Sequence, residues 1–168
     1  MSVPGAFLDR DGVLIEDSGY PHLDAHLKLI PGAAAAVRRM NQAGYRTVIA
    51  TNQSGVARGL FDEDRMHAFN ALLTARLAQD GARIDAVYAC PFHADAVVER
   101  YRHPDHPDRK PNPGMILRAA AEHDIDPARS FLIGDRDSDM EAARRAGVEG
   151  LLFEGGDLDA FVRARLRL

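Results

Sequence analysis

The sequence predicts an α/β fold built on a mostly parallel sheet of five or more strands. Two observations carry this. Short β-branched and apolar runs alternate with longer helix-patterned segments along the whole chain, the signature of βαβ units. Glycines at 44, 81 and 147 close the helical patterns just before the next apolar run, as a C′ glycine does.

Residues 5–9 form a first buried strand, and 12–30 an irregular stretch containing Gly19, Tyr20, Pro21 and His22. Pro31 opens a helix over 33–43, where its missing N–H has no helical partner to lose, and Gly44 stops it. The run Tyr-Arg-Thr-Val-Ile-Ala at 45–50 is a second strand, followed by a loop over 51–61. Asp62 is a suitable N-cap for a long helix with apolar residues at Met66, Phe69, Leu72, Leu73 and Leu77. Residues 84–89 are a third strand. Residues 90–112 hold Pro91, Pro104, Pro107 and Pro111 and three histidines, and read as a long functional loop. A helix over 114–123, a strand over 130–134, a helix over 138–146, a strand over 148–153 and an amphipathic helix over 157–166 complete the chain.

The chain has 168 residues, 46% of them hydrophobic and 27% charged, with a net charge of −4. It is expected to form one globular domain, 1–168, with a sizeable core. The acidic balance argues against a broad nucleic-acid or membrane surface, though not against a local basic pocket. No apolar run approaches membrane-spanning length, the N-terminus lacks the features of a signal peptide, and the single cysteine, Cys90, fits a reducing compartment. A cytoplasmic monomer is expected.

In a parallel α/β sheet, ligands bind beyond the carboxyl ends of the strands, near a topological switch point. The residues there are polar: Asp9, Arg10 and Asp11 after the first strand, Thr51, Asn52, Gln53 and Ser54 after the second, and Asp135 to Asp139 after the fourth. If the first strand continues to Asp9, then Asp9 and Asp11 tend to one side, where two carboxylates repel unless a cation sits between them. Asp9, Asp11 and Asp135 are therefore a candidate Mg²⁺ site. Thr51 and Asn52 offer a hydroxyl, an amide and loop N–H groups suited to phosphate oxygens. Lys110, between Arg109 and Pro111, supplies a cation in a direction that the prolines restrain.

These residues carry a resemblance. Asp-Arg-Asp-Gly-Val (9–13), Thr-Asn (51–52), Arg-Lys-Pro (109–111) and Gly-Asp-x-x-x-Asp (134–139), in this order over roughly residues 5–150, resemble the four motifs of the haloacid dehalogenase (HAD) superfamily. More closely, 51–59, 90–93, 109–115 and 133–140 look like the D-glycero-D-manno-heptose 1,7-bisphosphate 7-phosphatase family, with the histidinol-phosphate phosphatase domain sharing most of these features. The resemblance implies a Rossmann-like three-layer α/β/α sandwich without a cap domain. It also implies Asp9 as nucleophile, Asp11 as general acid and then base, and Mg²⁺ held by Asp9, the backbone carbonyl of Asp11, and Asp135. Thr51, Asn52 and Lys110 would hold the transferring phosphoryl group, Asp139 would support the metal site from behind, and Arg109 and Arg136 would meet substrate phosphate or hydroxyls. Position 136 is more often Lys in the family, and Arg keeps the charge with a different geometry.

One departure concerns zinc. Family members often carry a structural zinc on Cys-x-His and Cys-x-Cys. Here Cys90 remains, but Phe92 takes the His position, and His106 and Asp108 take the second pair. Cys90, His93, His103 and His106 would be an acceptable tetrahedral set, yet a proline-braced loop with solvated histidines is the preferred reading. With no room for a cap, the site should be open and shielded by loops, admitting a sizeable phosphorylated sugar, itself a small-molecule substrate. Tyr20, Pro21, His22 and Arg58 lie where its distal part would fall, although packing is the favoured role for each. A polynucleotide 3′-phosphatase would share the motifs but lacks support from a basic stripe. A non-catalytic phospho-ligand module would not need a nucleophile–acid pair.

Overall fold

The computed structural model describes residues Met1–Leu168. Five strands, β1 (Val3–Leu8), β2 (Arg46–Asn52), β3 (Ala86–Cys90), β4 (Ile125–Gly134) and β5 (Glu149–Leu152), form one sheet in the order β3-β2-β1-β4-β5. Every neighbouring pair is parallel. The helices are α1 (Ala33–Gln42), α2 (Glu63–Gln79), α3 (Gly114–Glu122), α4 (Asp137–Ala146) and α5 (Leu158–Leu166).

The layering follows from strand alternation. Ala6, Leu8, Ile49, Phe131 and Ile133 face one side and pack with buried residues of α1, α2 and α5. Phe7, Val48, Ala50 and Leu132 face the other and pack with Met115, Ile116 and Ala119 of α3 and Ala142, Ala143 and Ala146 of α4. Successive side chains on a strand point to opposite faces, so strands apolar on both faces require helices on both faces. This is the α/β/α sandwich that the sequence predicts. No helix is long and apolar enough to cross a membrane.

Three boundaries and one helix cap differ from the sequence reading. First, β1 ends at Leu8, and Asp9 begins a turn in which Val13, Leu14 and Ile15 all donate N–H groups to the Arg10 carbonyl. Asp9 and Asp11 are therefore not alternate residues of one strand. Second, Thr51 and Asn52 belong to β2, where they pair with Ala89 and Cys90 of β3. Third, α1 starts at Ala33 as read, but Gly32, with a left-handed backbone (φ 77°), is its N-cap, so Pro31 lies before the cap and not at the first helical position. Fourth, β4 begins at Ile125 and includes Pro127. It pairs with Val3 and Pro4, then shifts register before Ala6, and proline is tolerated in a strand at such an irregularity.

The switch point lies between β1 and β4. From β1 the chain passes to β2 and β3 on one side, then returns to add β4 and β5 on the other. The β1 and β4 ends therefore lie side by side, and Asp9 donates its N–H to the Ile133 carbonyl at 3.0 Å.

Candidate active site

At this edge, Asp9, Asp135 and Asp139 each bring a carboxylate oxygen to within 4.8 Å of the other two. Lys110 reaches them from the long loop. Its ammonium lies 3.1 Å from Asp9 Oδ1 and 2.5 Å from Asp139 Oδ1, and donates to the Ala50 carbonyl at 2.8 Å. The loop carrying it is tied to β2 by a reciprocal pair: the Lys110 N–H donates to Asn52 Oδ1 at 3.0 Å, and Asn52 Nδ2 donates to the Lys110 carbonyl at 3.1 Å. Asn52, expected on phosphate, thus also holds the lysine in place.

Two glycines permit the approach. Gly12 has φ +87°, and a Cβ there would stand 2.1 Å from Asp135 Oδ2. A Cβ on Gly134 would stand 2.3 Å from the Cβ of Asp139. Asp139 sits in the first turn of α4, where Oδ2 accepts the N–H groups of Asp135 and Arg136 at 3.2 and 3.1 Å. A carboxylate is favoured at a helix N-terminus. Both Asp139 oxygens therefore have partners, whereas Asp135 Oδ1 is buried with no hydrogen-bond partner.

The electrostatics follow from burial. Asp9 is pushed up to about 7, chiefly by loss of solvent, with Lys110 opposing and Asp139, Asp11 and Asp135 adding repulsion. Asp135 is likewise raised by burial and by Asp139. Burial alone would lower Lys110, but Asp9 and Asp139 outweigh it and hold the ammonium above the usual lysine value. Three carboxylates face one ammonium, so the cluster carries excess negative charge in a low-dielectric setting. That imbalance and the orphaned Asp135 oxygen both suit a divalent cation bound through oxygen.

The cluster opens into a cleft of about 540 Å³ whose sixteen lining residues include only one hydrophobic side chain, a lining suited to a charged or hydroxylated ligand. Thr51 is buried at its floor, and its hydroxyl accepts from Gln53 Nε2 at 2.8 Å. Arg109 lines the wall with Nη1 buried and unpartnered, and desolvation pushes its guanidinium down. Arg136 is on the rim, largely exposed, 3.4 Å from Asp17. Tyr20 and Arg58 also line the cleft, with the Arg58 guanidinium 5.8 Å from the Tyr20 ring centre. His22 instead stacks on Phe61 at 4.7 Å.

Asp11 stands apart from the carboxylate trio. Its oxygens are gripped by the Arg10 guanidinium, so its side chain is not in the close acidic group, and any part in metal binding falls to its backbone carbonyl. Arg10 and Gln53 were not singled out from the sequence, and Asp139 only as a supporting residue. The signal for Arg10 was its place between two acidic residues, which does not distinguish a buried arginine from an exposed one.

The loop histidines are engaged locally. Nδ1 atoms of His93, His103 and His106 accept the N–H groups of Asp95, Asp105 and Asp108, each two residues on, at 2.9, 3.0 and 3.0 Å. Phe92 stacks on His106 with centres 4.1 Å apart. Cys90 Sγ is 3.9 Å from His106 Nδ1, and burial pushes the thiol up.

A buried carboxylate cluster with one lysine at the switch point of a parallel α/β sheet defines the HAD class of phosphate-transferring hydrolases, and a family model described as HAD-hydrolase-like matches residues 108–163. Relatives over nearly the whole chain narrow this. A D-glycero-β-D-manno-heptose-1,7-bisphosphate 7-phosphatase of Rhodopseudomonas palustris is 49% identical over 95% of this chain and 88% of its own length. The corresponding D-glycero-D-manno enzyme of Thermosynechococcus vestitus is 46% identical over 93% and 81%. A crystal structure of D,D-heptose 1,7-bisphosphate phosphatase from B. bronchiseptica, complexed with magnesium and phosphate, superposes with a TM-score of 0.82 at 33% identity over 98% of each chain. The chain belongs to the heptose-1,7-bisphosphate 7-phosphatase family and is a phosphatase.

The raised Asp9 value has a consequence for stability. Its folded value lies above the ordinary 3.8, so the neutral form favours folding. That contribution is complete below the ordinary value and lost as pH rises through about 7. In chelator, thermal melts from about pH 5 to about pH 8 should show wild type losing stability relative to Asp9→Asn as pH rises. A wild-type-minus-variant difference that does not change with pH would contradict this origin for the shift.

Proposed function

We propose that this chain, as one catalytic domain, hydrolyses the 7-phosphate of D-glycero-D-manno-heptose 1,7-bisphosphate with Mg²⁺ as cofactor. The observation that carries the reading is the Asp9–Asp135–Asp139 cluster, paired with Lys110 and opening into a polar cleft. The substrate is the one named for its relatives. Mg²⁺ held by Asp9, the Asp11 carbonyl and Asp135 would neutralise charge on the phosphoryl oxygens.

Asp9 is the nucleophile. Its Oδ1 accepts the Arg10 N–H at 2.9 Å and lies 3.1 Å from the Lys110 ammonium. These contacts along one edge restrain the carboxylate. Attack of a carboxylate oxygen on phosphorus forms an acyl phosphate and breaks the bond to the sugar oxygen, to which Asp11 delivers a proton. Asp11 then takes a proton from water, whose oxygen attacks the same phosphorus. The bond to Asp9 breaks, releasing orthophosphate and restoring the carboxylate. Lys110, Thr51 and Asn52 hold the phosphoryl group, with the lysine charge opposing the negative charge on its oxygens. Arg109 and Arg136 receive the substrate's other polar groups, for which the unpartnered Nη1 of Arg109 is the strongest support. Asp139 holds Lys110.

The loop over residues 91–109 is braced without zinc in this reading, supported by the Phe92–His106 stack and the three histidine-capped turns. Elemental analysis of purified protein should find no stoichiometric zinc. About one zinc per chain, the occupancy of a structural site, would overturn that part.

Substrate choice is tested by phosphate release from heptose 1,7-bisphosphate anomers, histidinol phosphate, fructose 1,6-bisphosphate and a 3′-phosphorylated oligonucleotide, with and without Mg²⁺. Release should be greatest from a heptose bisphosphate and should require Mg²⁺. Preference for histidinol phosphate would reassign the substrate, and release from none would favour a binding module.

A further inference from the structure

We propose that Arg10, buried between Asp9 and Asp11, is the positioning residue that fixes the Asp11 carboxylate for proton transfer. The proposal rests on the reading of Asp11 as acid and base. Arg10 is 1% exposed. Its Nε donates to Asp11 Oδ1 at 2.7 Å and its Nη2 to Asp11 Oδ2 at 3.3 Å, a two-pronged grip on one carboxylate. The far side of the guanidinium is anchored in the protein. Nη1 donates to Asn70 Oδ1 at 2.8 Å, and Nη2 to the Pro21 carbonyl and to Gln53 Oε1, each at 3.0 Å. The Phe69 ring centre lies 4.8 Å from the guanidinium carbon.

A guanidinium this deep must be paired. Its only anionic partner is Asp11, and the remaining acceptors are neutral groups from α2, the loop at Pro21 and the end of β2. These fix the plane of the fork, and the fork fixes Asp11, which still lines the cleft with its side chain 20% exposed. A purely structural arginine would need no partner facing the cleft. The same residue serves the other carboxylate through its backbone: the Arg10 N–H donates to Asp9 Oδ1 at 2.9 Å, and its carbonyl winds the turn that follows. One residue therefore sets the spacing between nucleophile and acid. Lysine keeps the charge but not the planar two-pronged grip.

Proton delivery matters for a sugar alkoxide and little for p-nitrophenolate, which leaves without a proton. The test compares kcat/KM on D-glycero-D-manno-heptose 1,7-bisphosphate and on p-nitrophenyl phosphate, in wild type, Arg10→Lys and Asn70→Ala. Asn70 lies outside the cleft, so its variant loosens the arginine without touching the substrate. Because general-acid catalysis contributes about 10²–10⁴-fold, Arg10→Lys should lose at least about tenfold more on the sugar phosphate than on the aryl phosphate. Asn70→Ala should show a smaller loss in the same sense. Equal losses on both substrates in folded variants would overturn the proposal, as would an Asn70→Ala variant without selective loss if Arg10→Lys does not fold. Wild type inactive on both, the heptose bisphosphate included, would overturn the proposed function and the proposal with it, whereas active wild type with equal losses overturns the proposal alone.

Discussion

The buried ammonium of Lys110 is the interaction on which the rest of the site depends. A charge taken out of water must be compensated, and here Asp9, in the turn after β1, and Asp139, in the first turn of α4, do it together. The pairing explains several features at once. The long loop is bound to β2 through Asn52, because Lys110 must enter the sheet edge from a fixed direction. Gly134 leaves room for Asp139 to fold back against its own strand. Gly12 lets the turn after β1 press against Asp135. One lysine does not balance three carboxylates, however, and the remaining negative charge prepares the edge for a divalent cation and then for a phosphoryl group.

The division of labour between the acidic residues follows from their partners. Asp139 is fully buried with both oxygens taken by Lys110 and two backbone N–H groups, which suits a supporting place, whereas the Asp11 side chain stays partly open to the cleft. Asp135 has an oxygen with no partner, so it is available to a ligand. Asp9 is held along one edge by the Arg10 N–H and Lys110, a restraint that suits the nucleophile proposed for it. Asp11 is held by an arginine instead of by the lysine, yet it stands near enough to Asp9 to add to the repulsion that raises it.

Much of this was legible in the sequence, and the rest was not for identifiable reasons. Alternating apolar runs and helix patterns specify the mostly parallel α/β sheet, and acidic residues after apolar strands mark Asp9 and Asp135, because both signals are local. The residues that hold others in place are set by tertiary contacts. Thr51 and Asn52 read as loop, since only pairing with β3 makes them strand. Residues 125–129 lie outside the strand read at 130–134, since only the register shift against β1 accommodates Pro127. Arg10 looks like a surface residue between two acids until Asn70, Pro21 and Gln53 close around it. The turns that occupy the Nδ1 atoms of the long-loop histidines are likewise set by contacts that composition does not show.

The central claim is that this edge of the sheet, with Asp9 restrained beside Lys110, exists to carry a phosphoryl group covalently. Rapid acid quench of the enzyme during turnover of ³²P-labelled substrate, followed by peptide mapping, tests it most directly. The account predicts an acid-stable, base-labile label on the peptide containing Asp9, absent from Asp9→Asn. Turnover without any labelled peptide, or label on another residue, would contradict it.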